Sequence, residues 1–144
     1  MSGHTEIECL AMPSNLSKLL TFLDDSCKQA GLAENVAFAV KLAGEEACTN
    51  IINHAYLGAA PGPLSMRVSW DSMQVDVLIE DNAAFFPPEN APAPDLTANL
   101  ETRRLGGLGW HLIQQVMDVV HHEQRANGGN RLRMIKLLQT NTTS

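Results

Sequence analysis

The chain has 144 residues, 44 % of them hydrophobic, with ten Lys and Arg against sixteen Asp and Glu and a formal charge of −6. Residues 1–144 fit one domain that buries a core without disulfide or metal staples, and so few basic residues exclude a general nucleic-acid binder, which must neutralise phosphates. Cys9, Cys27 and Cys48 form no CxxC pair; with no leader peptide and no run of about 18 apolar residues, they predict reduced thiols in a cytoplasmic protein without membrane attachment.

Residues 5–12 alternate, with Ile7, Cys9 and Ala11 on one side and Glu6 and Glu8 on the other, and predict a half-buried strand. After Pro13, Ser14 or Asn15 caps a helix whose Leu16, Leu19, Leu20 and Leu23 share a face, with Gly31 as its stop. A longer helix is expected from Glu34 to Tyr56, its apolar stripe being Val36, Val40, Ala43, Ala47 and Ile51. Leu64, Met66, Val68 and Trp70, then Met73, Val75, Val77 and Ile79, alternate about a turn at Asp71-Ser72 and predict a hairpin. Residues 83–105 hold four of the seven prolines and keep no period; a stretch of that length without structure of its own reads as a mobile lid. Leu108, Leu112, Ile113 and Val116 mark a further helix, and residues 118–125 and 130–138 two strands joined across Asn127-Gly-Gly-Asn130. The order predicts an α+β, two-layer α/β sandwich: a mixed, mostly antiparallel sheet with helices on one face.

Three polar features stand out against this frame. Glu46, Asn50 and Asn53 are spaced four and three apart, on one helical stripe at the rim between core and solvent. A carboxylate and a carboxamide there suit Mg²⁺ and proton acceptance, although the same triple also makes an ordinary solvated flank. Asp81 keeps phase with Val75, Val77 and Ile79, so a carboxylate aimed at the packed face needs a donor. An adenine amino group would serve, as would a backbone N–H of the next turn, and Ile79-Glu-Asp-Asn82 also reads as a strand leaving into a turn with an exposed Asp. Gly106-Gly-Leu-Gly109 stands before a helix, where bare N–H groups and the positive dipole end favour an anion such as phosphate; a lid hinge is the plainer reading.

His54 lies close to the apolar stripe and reads as a hydrogen-bonded core histidine. His121 and His122 point to opposite faces of a strand and form no metal pair. Trp70 and Trp110 read as core or interface residues. Arg103 and Arg104 sit where a closing lid would bring a cation to a terminal phosphate, though loop arginines are usually just solvated.

Leu42-Ala-Gly-Glu-Glu-Ala-Cys-Thr-Asn50-Ile-Ile-Asn-His54-Ala-Tyr56 resembles the N-box of the GHKL ATP-binding superfamily in the form used by RsbW-type anti-sigma serine kinases. Ile79-Glu-Asp81 through Phe86-Pro-Pro88 is similar to their adenine-contact box, and Gly106-Gly-Leu-Gly109-Trp-His-Leu-Ile113 to their second glycine box. The resemblance covers nearly the whole chain and implies the Bergerat (histidine-kinase-like ATPase) fold. It implies Glu46 as general base toward a partner's serine, Asn50 as ligand of the Mg²⁺ that bridges the ATP phosphates, and Asp81 as partner of the adenine amino group. Asn53, Ala83, Gly106, Gly107, Leu108 and Gly109 would complete the nucleotide contacts, with Arg104 near the phosphates. Few side chains suffice because phosphoryl transfer needs chiefly positioning and charge neutralisation.

Implied partners are an anti-anti-sigma (STAS-domain) protein as phosphorylation target, a sigma factor as alternate partner, and a second copy of the chain. The chain departs from the family in Asp81-Asn82-Ala83, where Asp-x-Gly is usual. A methyl there crowds the backbone that approaches the base or demands an unsuitable φ, which motivates a rival expectation: a binding module that keeps its protein contacts but has weak or no nucleotide turnover. The segment Ala84-Phe85-Phe86-Pro87-Pro88 also lacks an acidic residue common before the second proline.

Overall fold

The computed structural model describes residues 2–86 and 108–138. In chain order these form β1 (Gly3–Leu10), a 3₁₀ turn (Pro13–Asn15), α1 (Leu16–Ala30), α2 (Glu34–Asn50), a π-helical turn (Ile51–Ala55), β2 (Pro63–Trp70), β3 (Gln74–Asp81), α3 (Leu108–Val116), β4 (Val119–Gln124) and β5 (Asn130–Leu137). Most of the lid expected over 83–105 lies outside the described residues, as do Arg103, Arg104, Gly106 and Gly107.

The sheet order is β1-β2-β3-β5-β4, and every neighbouring pair is antiparallel. It is therefore antiparallel throughout, where the sequence suggested a mixed sheet. The connections explain this: α1 and α2 return the chain to the end where β1 finished, and two hairpins supply β2–β3 and β4–β5. Strands that run the same way, such as β3 and β4, are separated by another strand.

Alternation sorts the sheet faces. Leu64, Met66 and Val68 of β2, Val75, Val77 and Ile79 of β3, and Leu132 and Met134 of β5 all point to the helical side and are buried. The register sets Met66 beside Ile79 and Val77 beside Met134, so each side chain closes against its cross-strand neighbour. From the helices come Leu19 and Leu23 of α1, Val40, Ala43, Ala47 and Cys48 of α2, and Ile113 of α3. Each large side chain so buried contributes about 1.5–3 kcal/mol.

Local signals set the boundaries. Asn15 holds the N-cap position of α1 but its amide donates to the Leu10 carbonyl at 2.8 Å instead of capping the helix. Gly31, at φ +68°, ends α1 in the left-handed turn that favours glycine. Asp71 Oδ1 accepts the N–H groups of Met73 and Gln74 at 2.7 and 3.0 Å. That Asx turn takes Met73 out of the alternating strand and leaves it exposed. The long second helix is α-helical only to Asn50; the last five residues before Tyr56 widen into the π turn. Trp70 and Trp110 pack partly buried against the core, as expected. Among the described residues no helix is long and apolar enough to cross a membrane.

Candidate functional site

Two polar centres lie at one end of the molecule, both tied to the segment that runs from α2 through the π turn. The first is where α3 meets α2. Glu46 and Asn50, one turn apart on α2, are half-buried, and Gly109 in the first turn of α3 lies against them. A Cβ at Gly109 would come within 2.9 Å of Glu46 Oε2 and 3.2 Å of Asn50 Nδ2. A side chain there would have to push the ends of Glu46 and Asn50 aside, so its absence lets the helix start approach a carboxylate and a carboxamide together. The structure thus brings Glu46, Asn50 and Gly109 to one place. Asn53 differs: it is exposed and sits on the π turn, whose wider winding departs from the α spacing that puts it on the Glu46 stripe.

The second centre is the end of β3. Asp81 is 4 % exposed, as its phase with Val75, Val77 and Ile79 predicts. Its Oδ1 accepts the Ala83 N–H at 2.9 Å and the Asn130 side-chain amide at 2.9 Å. Asn130 stands directly opposite Asp81 in the register. Among the described residues no donor reaches Oδ2, so one carboxylate oxygen is committed to the turn and the other is not. Burial pushes the Asp81 carboxyl above its ordinary value of 3.8; the Asn130 amide, the Ala83 N–H and the charges of His122 and Arg125 pull the other way.

Asn130 does more than hold Asp81. Its Oδ1 accepts the Phe86 N–H at 3.1 Å, and its Nδ2 lies 3.4 and 3.3 Å from the Ala83 and Ala84 carbonyls. One amide therefore fixes both the carboxylate and the first residues of the segment that leaves β3. Phe85 of that segment stacks on His122 of β4, ring centroids 5.2 Å apart and planes 14° from parallel. Ala83 is buried, and among the described residues every non-glycine φ is negative. The strained backbone that Ala in place of Gly suggested does not arise.

A third set of contacts joins the two centres. Tyr56 directly follows the π turn, and its hydroxyl accepts the Asn82 N–H at 2.7 Å. Arg125 and Asn127 also donate to the Asp81–Asn82 turn, so the residues at this place to which sequence reasoning gave no role are Tyr56, Arg125, Asn127 and Asn130. For Asn130 the sequence holds no local signal: the turn at Asn127-Gly-Gly sets it opposite Gln124, and its pairing with Asp81 comes from the long-range register of β5 on β3. Leu108 begins α3, and Gly106, Gly107 and Arg104 fall outside the described residues.

A carboxylate beside a carboxamide at a helix start, with a buried carboxylate at a strand end nearby, suits a ligand having a charged end and a hydrogen-bond donor at the other. A family model described as a histidine kinase-like ATPase domain matches residues 9–136. The chain is 26 % identical over 135 residues to the serine/threonine-protein kinase BtrW of Bordetella bronchiseptica, covering 93 % of this chain and 94 % of that one. It is 29 % identical over 124 residues to the serine-protein kinase RsbW of Listeria monocytogenes, covering 83 % and 79 %. Among solved structures, the histidine kinase domain of the Erythrobacter litoralis EL346 blue-light activated histidine kinase has the same fold, with a TM-score of 0.55 and 18 % identity over 87 % of this chain and 60 % of that one.

Proposed function

The chain belongs to the histidine kinase-like ATPase domain family, and on that premise we propose that it is an ATP-dependent serine-protein kinase of the RsbW type, acting on a partner protein. The observation that carries this reading is the packing of Gly109 against Glu46 and Asn50. It brings the bare N–H groups of the α3 start to a corner where a carboxylate and a carboxamide could hold a cation, and together these suit a triphosphate bound with magnesium.

The residues fit the groups the reaction needs. Asn50 would hold a magnesium ion, which supplies charge neutralisation on the phosphate oxygens. Asp81 Oδ2 would accept a hydrogen bond from the purine amino group, with Ala83 and Asn53 among the nucleotide contacts. Gly106, Gly107, Leu108 and Gly109 would line the phosphates with backbone N–H groups, and Arg104 would bring a cation toward the terminal one. Glu46 takes the proton of the partner's serine as its oxygen bonds to the terminal phosphorus and the bond to ADP breaks.

The partners we propose follow from the resemblance in the sequence: a STAS-type anti-anti-sigma protein as substrate and a sigma factor as the alternative ligand, in the cytoplasm, with the chain as a homodimer. A phosphoryl group adds about −1.5 to −2 charge to a contact surface. It would expel the substrate and free this chain for the sigma factor.

The test is transfer of label from ATP with Mg²⁺ to a serine-bearing partner. Glu46→Gln is expected to lower transfer by about 10²-fold or more with nucleotide affinity nearly unchanged. Gly109→Ala is expected to weaken nucleotide binding by pushing the Glu46 and Asn50 side chains aside. Wild-type protein that captures its partner yet transfers no label would make the chain a binding module, and failure to bind ATP at all would remove the kinase reading.

A further inference from the structure

The turn that presents Asp81 is held from two directions by side chains with no part in the chemistry above. From the helical side, Tyr56 Oη accepts the Asn82 N–H and donates its own proton to the Pro63 carbonyl, both at 2.7 Å. From the β4–β5 hairpin, Arg125 Nη1 donates to the Asp81 carbonyl at 3.0 Å and to Asn82 Oδ1 at 2.6 Å. Asn127 Nδ2 donates to the same Oδ1 at 3.0 Å. Glu80 orients the arginine, its Oε2 lying 3.6 Å from Arg125 Nε. The hairpin sits this close because residue 129 is glycine: a Cβ there would collide with the Asp81 carbonyl oxygen and come within 3.0 Å of Asn82 Cα.

We infer that Tyr56 and Arg125 are positioning residues that make the site selective for a 6-amino purine. The inference rests on the reading above, in which Asp81 meets the base. Because Oδ1 is taken by Ala83 and Asn130, Oδ2 alone is offered, and its direction is set by the backbone that Tyr56 and Arg125 hold. A carboxylate oxygen accepts from a 6-amino group, whereas a 6-oxo base sets a second acceptor against it and leaves both unpaired. Buried sites of this kind discriminate strongly only while their polar group is fixed. A loosened turn lets the carboxylate swing, so the amino purine loses affinity and the oxo purine does not.

Tyr56→Phe suits the test because it keeps the ring that packs over Gly62 and removes only the hydroxyl. Asn82 is exposed, so its freed N–H turns to water at little cost. Arg125→Gln attacks the same turn from the other side. Equilibrium binding of fluorescent ATP and ITP analogues with Mg²⁺ would be measured for wild type and both variants, together with the melting temperature of each free protein. Wild type is expected to prefer ATP by about 100-fold or more. Each variant is expected to lose about tenfold for ATP, to change by less than about twofold for ITP, and to melt within about 3 °C of wild type. An ATP-to-ITP ratio that stays at the wild-type value in both variants overturns the inference, whether or not both affinities fall together. Wild type that binds ATP and ITP equally overturns it as well. Wild type that binds neither removes the ATP reading itself, and the inference with it.

Discussion

Asp81 serves two ends that pull against each other. Its burial raises the carboxyl above the ordinary value of 3.8, so over a span of pH the folded protein holds a proton that the unfolded chain has released. Stability linked to this group is complete below the unfolded value and is lost as pH rises through the raised folded one. At neutral pH the ionised side chain is a cost to the fold, which the proposed purine contact would account for. Asp81→Asn removes that cost and keeps the geometry, since an amide oxygen still accepts from Ala83 and Asn130. The variant is expected to melt at or above the wild-type temperature at pH 7. Its advantage should shrink as pH falls toward the ordinary carboxylate range, while ATP binding drops about tenfold or more. Thermal melts of both proteins across pH 4–8, paired with nucleotide titration, check this; an Asn variant less stable than wild type at pH 7 would show that the carboxylate is held for the fold.

At the scale of elements, the site exists because α1, α2 and α3 lie close on the sheet. Gly44 sits where α1 crosses α2, and a Cβ there would meet Leu23 Cδ1 at 2.5 Å. Leu23 is fully buried and has no open space to turn into. Alanine favours a helix interior over glycine by about 1 kcal/mol, but overpacking a closed core costs about 1–3 kcal/mol. Gly44→Ala is therefore expected to destabilise by up to about 2 kcal/mol, read as a lower urea midpoint with unchanged slope; a higher midpoint would mean that α1 shifts freely. The same elements show what the sequence discloses. The α1 leucines, the Gly31 stop and the strand alternations are local patterns, each sufficient to place its element. The π turn is not, because the i, i+4 stripe that ends at Ile51 carries no mark of the change in winding that follows and takes Asn53 off the α spacing from Glu46. Glu46, Asn50, Asp81 and the glycines stood out through motif spacing, but the approach of Gly109 to Glu46 is a tertiary fact. Tyr56 only closes the N-box stretch and Arg125 carries no motif; their contacts appear only when the π turn and the β4–β5 hairpin meet the Asp81 turn.

At the scale of the molecule, the question is whether sheet, helices and site open as one unit. Cys48 answers it. Burial pushes its thiol up to about 12 and that of Cys27 to about 11, from an ordinary 9.0, and Cys48 is fully shielded between α2 and the sheet. Neither thiol reacts while the core is closed, because the thiolate is the nucleophile and the sulfur is covered. Labelling of Cys48 therefore proceeds through opening of the core. If residues 1–144 behave as one cooperative domain, a ligand at the Asp81 and Glu46 end must hold that core shut. ATP with Mg²⁺ at a hundredfold excess over its Kd stabilises the folded state by about 2.7 kcal/mol and is expected to slow Cys48 labelling about 100-fold. Cys9, half-buried on the edge strand β1, is expected to label first and to be slowed far less. Residue-resolved mass spectrometry of a labelling time course, with and without nucleotide, reads both rates. Equal protection of Cys48 with and without bound ATP would mean that the core opens independently of the site, and the chain would have to be treated as two coupled parts.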